Sequence, residues 1–252
     1  MIDLSLTQFV VTTAIIWYSY GLCCGIYCHR YLTHKQIELS ESVIAVFKVV
    51  LWLFMPWWSE DRYVRWVAMH IRHHNNTDKE ADPHSPYRKD GTFMSWVECK
   101  EMHDRLNPRS FSEYTHLMEN DKKTKIDYIL LKFERIVNGR SLSAVILTLL
   151  FGFPGTIMWL IVYHLDVIIN MSVINYLCHR FGYNTEPVTA ISGHSKNFLP
   201  WGFLGLGEEL HGNHHRHPRR ANFGIKWWEI DPTYYVLIVM SWVGLAKINK
   251  ND

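Results

Sequence analysis

Histidines with metal-ligand spacing are the residues of this chain most able to do chemistry. They lie in three clusters, HRYLTH at 29–34, HIRHH at 70–74 and HGNHH at 211–215. In the last two clusters, three histidines stand at positions i, i+3 and i+4, so each cluster can aim three ring nitrogens at one point from a single helical face. His29 and His34 are five residues apart, so they converge only if their helix ends or bends between them.

The number of these histidines predicts two metal ions. A tetrahedral site is satisfied by four ligands, whereas the clusters hold eight histidines and His179, four residues after Asn175 in NYLCH, is a ninth candidate. Imidazole suits iron, copper, nickel or zinc, so the ligand type leaves the metal open. The sequence therefore predicts a metal pair held by histidine alone.

Several polar residues near the clusters are expected to support them. His84 in ADPHSP is expected to lie beside the site or to cap a helix rather than to bind metal. His164, in an apolar segment, is a functional candidate because ionisable groups are costly inside membranes. Carboxylates that could hold the second ring nitrogens of the ligands are Asp78, Asp82, Glu208 and Glu209.

Composition predicts one membrane domain over residues 1–252. The chain is 48% hydrophobic and contains 11 Trp, which indicates a large apolar surface. A net charge of +2 argues against nucleic acid as a partner. The five cysteines form no CxxC motif and are expected to be reduced packing residues.

Apolar runs predict three membrane spans, at about 7–27, 141–153 and 156–178, the last two joined by a turn at GFPG. His34 and His70 must reach the same metals, so the run at 43–58 is expected to be interfacial or re-entrant. The distribution of Lys and Arg places the amino terminus outside and the histidines on the cytoplasmic face. The predicted fold is all-α, an integral membrane helical bundle whose cytosolic helical cap holds the metals.

Four motifs together resemble the membrane-bound fatty acyl desaturase family, in the branch of stearoyl-CoA desaturases and bacterial acyl desaturases. The resemblance covers residues 25–232 and includes WWEID at 227–231. An isolated HxxHH is weak evidence, whereas the ordered set is highly specific. The four motifs are HRYLTHK at 29–35, HIRHHNNTDKEADPH at 70–84, NYLCH at 175–179 and GEELHGNHHRHPRRAN at 207–222.

The resemblance implies two iron ions, O2 as co-substrate and nine histidine ligands. It also implies that Asn175 contacts one iron through a water molecule. The implied ligands are His29, His34, His70, His73, His74, His179, His211, His214 and His215.

The implied enzyme is an oxidoreductase that desaturates a fatty acyl chain bound to a membrane lipid, to CoA or to a carrier, with Δ9 as one candidate position. Electrons would come from a separate ferredoxin or cytochrome b5-like donor with its reductase. Two alternatives remain open. A hydroxylase or acetylenase could use the same iron pair, and a non-catalytic membrane metal carrier would place its histidines inside the spans.

Overall fold

The computed structural model describes residues 2–55, 62–88, 90–106, 121, 124–189 and 192–249. Most of these residues are helical. The α-helices are α1 Leu6–Cys23, α2 Glu41–Phe54, α3 Arg62–Asn76, α4 Trp96–Leu106, α5 Lys125–Glu134, α6 Gly139–Phe151, α7 Phe153–Asp166, α8 His211–Arg216 and α9 Pro232–Trp242. Two π-helical segments, Cys24–Thr33 and Val167–Ile174, continue α1 and α7, and a 3-10 turn follows at Leu177–His179.

Two of the described helices are long and apolar enough to cross a membrane. They run over Leu6–Thr33, with 28 residues, and Phe153–His179, with 27 residues. These helices contain the predicted spans at 7–27 and 156–178. The third predicted span, 141–153, corresponds to α6, whose 13 residues extend only about 20 Å along the helix axis. That length is short of the ~30 Å of hydrocarbon, so three spans remain a prediction.

The turn between α6 and α7 is tighter than the GFPG motif predicts. α6 ends at Phe151 and α7 begins at Phe153, leaving Gly152 alone between them with a φ of 66°. That left-handed conformation favours glycine. Pro154 falls in the first turn of α7, where its missing N–H costs no helical hydrogen bond. Gly155 packs directly against the backbone of Leu147, so the two helices approach closely.

The helices pack around α1. It contacts α7 and α2, while α3 packs against the π-helical segment that continues α1. α2 is half-buried and also contacts α5 and α6. Residues 56–61 lie outside the described part, so the interfacial or re-entrant placement of 43–58, with Trp57 and Trp58, stays a prediction.

A small β-sheet departs from the all-α prediction. β1, Ile37–Leu39, pairs antiparallel with β2, Ala246–Ile248. Strands of three residues are too short to show the alternation that predicts strands from sequence. The cap also differs from the helical one predicted. Between His179 and His211, and again between α8 and α9, the described residues form turns and bends.

Candidate metal centre

The structure brings together all nine predicted histidines, in two adjacent clusters. In each cluster the ligand nitrogens lie within 4.8 Å of one another. The rings of His74 and His215, one from each cluster, stack with centroids 4.2 Å apart, so the two clusters touch. The first cluster is His29, His34, His70, His74 and His214, and the second is His73, His179, His211 and His215.

Each HxxHH motif divides its histidines between the two clusters, which corrects the prediction that each motif aims three nitrogens at one point. α3 gives His70 and His74 to the first cluster and His73 to the second. On an α-helix, residues i and i+4 diverge by roughly 40°, whereas i+3 and i+4 diverge by roughly 100°. The i and i+4 residues therefore share a centre, and the i+3 residue faces the neighbouring one. α8 repeats this division, with His214 facing the first cluster.

A change of helical winding brings His29 and His34 together. The chain is π-helical from Cys24 to Thr33, and the His34 N–H donates to the His29 carbonyl 3.1 Å away. Hydrogen bonds from i+5 to i place residue i+5 above residue i. The two rings consequently lie 4.9 Å apart, although an α-helix would point them apart. The predicted need for a helix end or bend is met by this winding, together with the helix end at Thr33.

The ring nitrogens of each cluster converge at distances that fit a cation between them. The Nε2 atoms of His29 and His214 are 3.0 Å apart, and those of His73 and His215 are 3.1 Å apart. A neutral imidazole whose Nδ1 carries the proton presents only a lone pair at Nε2. Lone pairs at this spacing repel unless a metal ion accepts them. The donor set therefore fits two transition-metal ions.

Burial keeps the imidazoles neutral. It lowers the pKa of six of the histidines well below the ordinary value, and neighbouring imidazoles lower these pKa values further because their positive charges would repel. Neutral rings leave their lone pairs available for a metal. The six are His34, His70, His74, His211, His214 and His215.

Carboxylates hold the second ring nitrogen of three histidines. Asp82 lies 2.7 Å from Nδ1 of His73, and Asp78 lies 3.0 Å from Nδ1 of His179. Burial alone would raise the pKa of the Asp78 carboxyl, but the facing His179 brings this pKa below its ordinary value. Such carboxylates fix the tautomer and the orientation of a ligand ring.

The glutamates behave differently from one another. Glu208 holds His29, with 2.7 Å between Oε2 and Nδ1, as predicted. Glu209 instead accepts hydrogen bonds from the backbone N–H groups of Gly205 and Gly207. It orders the loop before α8 rather than a ligand, which corrects its predicted role.

Arg30 is a supporting residue that sequence reasoning missed. Its guanidinium is fully buried and binds Glu208 and Asp231, each at 2.9 Å. It also lies 3.9 Å from the centroid of the Phe223 ring. Glu208 in turn holds His29, so Arg30 links the loop before α9 to a histidine of the first cluster. Its position directly after His29 and the acidic WWEID motif were the available signals.

Asn175 lies beside the second cluster but not on one α-helical face with His179. The chain passes from the π-helical segment that ends at Ile174 into a 3-10 turn at Leu177–His179. The Asn175 amide nitrogen is 3.3 Å from Nδ1 of His84, and the His84 ring is 5.4 Å from that of His73. His84 thus lies beside the centre, where the sequence placed it.

A cavity of about 370 Å³ extends from the histidines toward the long helices. His29, His70, His211 and Asn175 lie along it, and Trp17, Met69, Val167 and Ile174 contribute apolar walls. Asp166 also lines it and is buried. His164, the ionisable residue that the sequence analysis singled out in this segment, is exposed and bonds the carbonyl of Leu160. A mostly apolar space beside candidate metal ligands suits an extended apolar molecule.

Comparison with known proteins identifies similar sequences over most of the chain. A profile described as fatty acid desaturase matches residues 7–238. An acyl-CoA 5-desaturase from Anemone leveillei is 28% identical over 94% of this chain and 72% of its own length. A hex-5-enoyl-[acyl-carrier protein] acetylenase from Moorena producens is 26% identical over 90% of this chain and 71% of its own length. An sn-1 stearoyl-lipid 9-desaturase from Synechocystis is 26% identical over 87% of this chain and 64% of its own length. The matched region contains both histidine clusters.

Proposed function

The chain belongs to the fatty acid desaturase family, and from that premise we propose that it is a di-iron, O2-dependent oxidoreductase that introduces a double bond into a saturated fatty acyl chain. The observation that carries the proposal is the pair of adjacent histidine clusters beside a mostly apolar cavity. Imidazole donors suit iron. An acyl chain in the cavity would lie against His29, His70 and His211.

The nine histidines would hold two irons, and Asn175 would hold a water molecule against one of them. With O2, the metals would supply the strong oxidant that removal of hydrogen from an unactivated methylene demands. Asp82, Asp78 and Glu208 hold the ligand rings in the neutral tautomer that binds metal. The protein therefore contributes ligand geometry through carboxylates that bond the ligand rings.

The cavity walls would fix the substrate and exclude water. An acyl chain held against Trp17, Val167 and Ile174 would present one pair of methylene groups to the centre. How far the chain enters the cavity would set the position of the new double bond. Δ9 is one candidate position. The relatives are named for acyl chains on CoA, on lipid and on a carrier protein, and we propose one of these three forms as the substrate here.

The reaction also needs an outside source of electrons. Conversion of a CH2–CH2 unit and O2 into a CH=CH unit and two water molecules consumes two electrons and two protons beyond those from the substrate. We propose that a separate ferredoxin or cytochrome b5-like protein, with its reductase, delivers them one at a time.

The protein would act as one domain, residues 1–252, in a multi-pass arrangement with its centre on the cytoplasmic face. The two long apolar helices support membrane insertion. Both lead directly into metal-site residues, because His29 lies near the end of the first and His179 ends the second. The histidines therefore lie at one end of the helices rather than along them, which disfavours a metal carrier within the membrane.

The relative named as an acetylenase supports a second candidate, which is oxidation of an existing double bond to a triple bond at the same centre. Product identity separates this activity, and hydroxylation, from desaturation.

The experiment expresses the chain in a host that lacks desaturases, supplies the donor pair and saturated acyl substrates, and analyses total lipids by mass spectrometry. The expected product has two hydrogens fewer than the substrate. His214→Ala removes a first-cluster histidine and should abolish the product, while His164→Ala, on the exposed face of α7, should retain it. Hydroxylated chains as the main product would move the assignment to a hydroxylase.

A further inference from the structure

A polar group lies in the cavity wall away from the histidines. Tyr20 on α1 donates to Oδ1 of Asp166 on α7 at 2.7 Å, and the Asn170 amide donates to the same oxygen at 2.7 Å. Tyr20 is 2% exposed and Asp166 is 4% exposed, and all three side chains line the cavity. We call Tyr20, Asp166 and Asn170 the distal triad.

The second oxygen of Asp166 has no hydrogen bond from the described residues. Both donors of the distal triad go to Oδ1, which leaves Oδ2 to the cavity that Asp166 lines. An acceptor that faces a mostly apolar cavity without a partner is costly. An ionisable side chain inside a span marks a functional site by default. A fully saturated acyl chain lying over Oδ2 would offer no hydrogen bond, so the energetic cost of the unpaired oxygen would remain.

The distal triad lies well along the path of a substrate. Tyr20 is nine residues before His29, and Asp166 is nine residues before Asn175. Both intervals include π-helical winding, which rises less than the α-helical 1.5 Å per residue, so each spans roughly 10–13 Å. An extended chain advances about 1.2 Å per bond, so roughly ten bonds separate the carbon at the metal centre from the carbon beside Asp166.

We propose that the distal triad is a subsite for a hydroxyl group on the acyl chain, located about ten bonds beyond the carbon at the metal centre. A hydroxyl both donates and accepts, so it can pair with Oδ2 whether or not Asp166 carries a proton. The remaining walls, including Trp17, Gly21 and Val167, offer apolar contact to the methylene groups on either side. This inference rests on the proposed function, because it assumes an acyl chain in the cavity.

The test measures binding of stearic acid, of the longer docosanoic acid and of their hydroxylated analogues, with the hydroxyl moved one carbon at a time, to the purified full chain in lipid nanodiscs. Displacement of a fluorescent fatty acid gives each affinity. We expect one position of the hydroxyl to bind roughly tenfold tighter than the parent acid, with weaker binding on either side of it. Equal affinity for each parent acid and all its analogues would overturn the inference, and this comparison requires only the unaltered chain.

Variants assign the preference to the distal triad. Asp166→Leu should reduce the preference to less than twofold while stearic acid still binds. Asp166→Asn, which keeps hydrogen-bonding capacity, should retain part of it, and His164→Leu on the exposed face of the same helix should retain all of it. A preference that survives Asp166→Leu would contradict the assignment to this residue.

Product analysis distinguishes the two proposals. Desaturation of stearoyl chains without any hydroxyl preference would overturn the subsite alone and leave the desaturase proposal in place. Preferential binding of a hydroxylated chain by a protein that forms no double bond would overturn the desaturase proposal and keep the subsite.

Discussion

Single carboxylates that bond the histidines should control how firmly a metal is held. Asp82 is fully buried and bonds Nδ1 of His73 at 2.7 Å, and it also accepts the backbone N–H of His84. Removing it would free the His73 ring to rotate and to change tautomer. We predict that Asp82→Ala weakens metal binding about 10–100-fold, measured by competition with a chelator. Asp90→Ala, at an exposed turn, serves as the control and should bind metal as the unaltered chain does.

Asn175 should affect turnover more than metal content. Its amide contacts His84 rather than a residue of either cluster, so Asn175→Ala leaves the nine nitrogens in place. We predict that this variant retains nearly all its iron in elemental analysis while product formation falls by about tenfold or more, as expected for a group that positions a reactant. Loss of iron in step with activity would instead make Asn175 part of the metal's own coordination.

At the scale of elements, helical winding and helix approach position the site. The π-helical segment after α1 brings His29 and His34 together, and the α6–α7 hairpin supports the helix that leads to Asn175. Gly155 is the closest approach in that hairpin, since a Cβ there would collide with the Leu147 carbonyl. We predict that Gly155→Val lowers the unfolding free energy by about 1–3 kcal/mol, seen as a lower unfolding temperature. Thr156→Ser, one residue along, keeps the hydroxyl that bonds Thr148 across the hairpin and should change that temperature far less.

Sequence reasoning found the clustered histidines but not the winding that arranges them. Histidine type and spacing identified all nine residues that the structure brings together. The division of each HxxHH motif between two clusters depends on where α3 and α8 lie relative to both centres, which is tertiary packing. The π-helical winding at Cys24–Thr33 likewise has no local signal, because residues such as Gly25 and Ile26 are also compatible with an α-helix.

The buried polar residues also show that sequence alone does not reveal how residues are arranged in the fold. Asp166 and His164 both interrupt an apolar run, but only the rotation of α7 in the bundle decides that Asp166 faces the cavity and His164 does not. The position of Arg30 after His29 hints at a role, but its partners Glu208 and Asp231 become evident only in the fold. Propensity and spacing specify residue types, whereas partners more than a hundred positions away specify their roles.

At the scale of the whole molecule, the metal centre constrains membrane topology. Nε2 of His34 lies 3.2 Å from Nε2 of His70, so the chain between them returns to the side where it began. We predict that single cysteines replacing Lys35 and Lys79 label from the same face of sealed vesicles, and that a cysteine replacing Asp3 labels from the opposite face. The background for this assay should be low because the native cysteines are buried. Opposite labelling of positions 35 and 79 would show that the two histidine motifs do not share a site.

The central claim is that nine histidines hold two irons in one chain. Elemental analysis of protein purified after growth in iron-replete medium tests it directly, with His164→Ala as a control that leaves both clusters intact. The account predicts two irons per chain, because the nitrogens converge at two centres and a single tetrahedral ion uses only four of them. His214→Ala should lower that number. One zinc per chain and no iron would contradict the account.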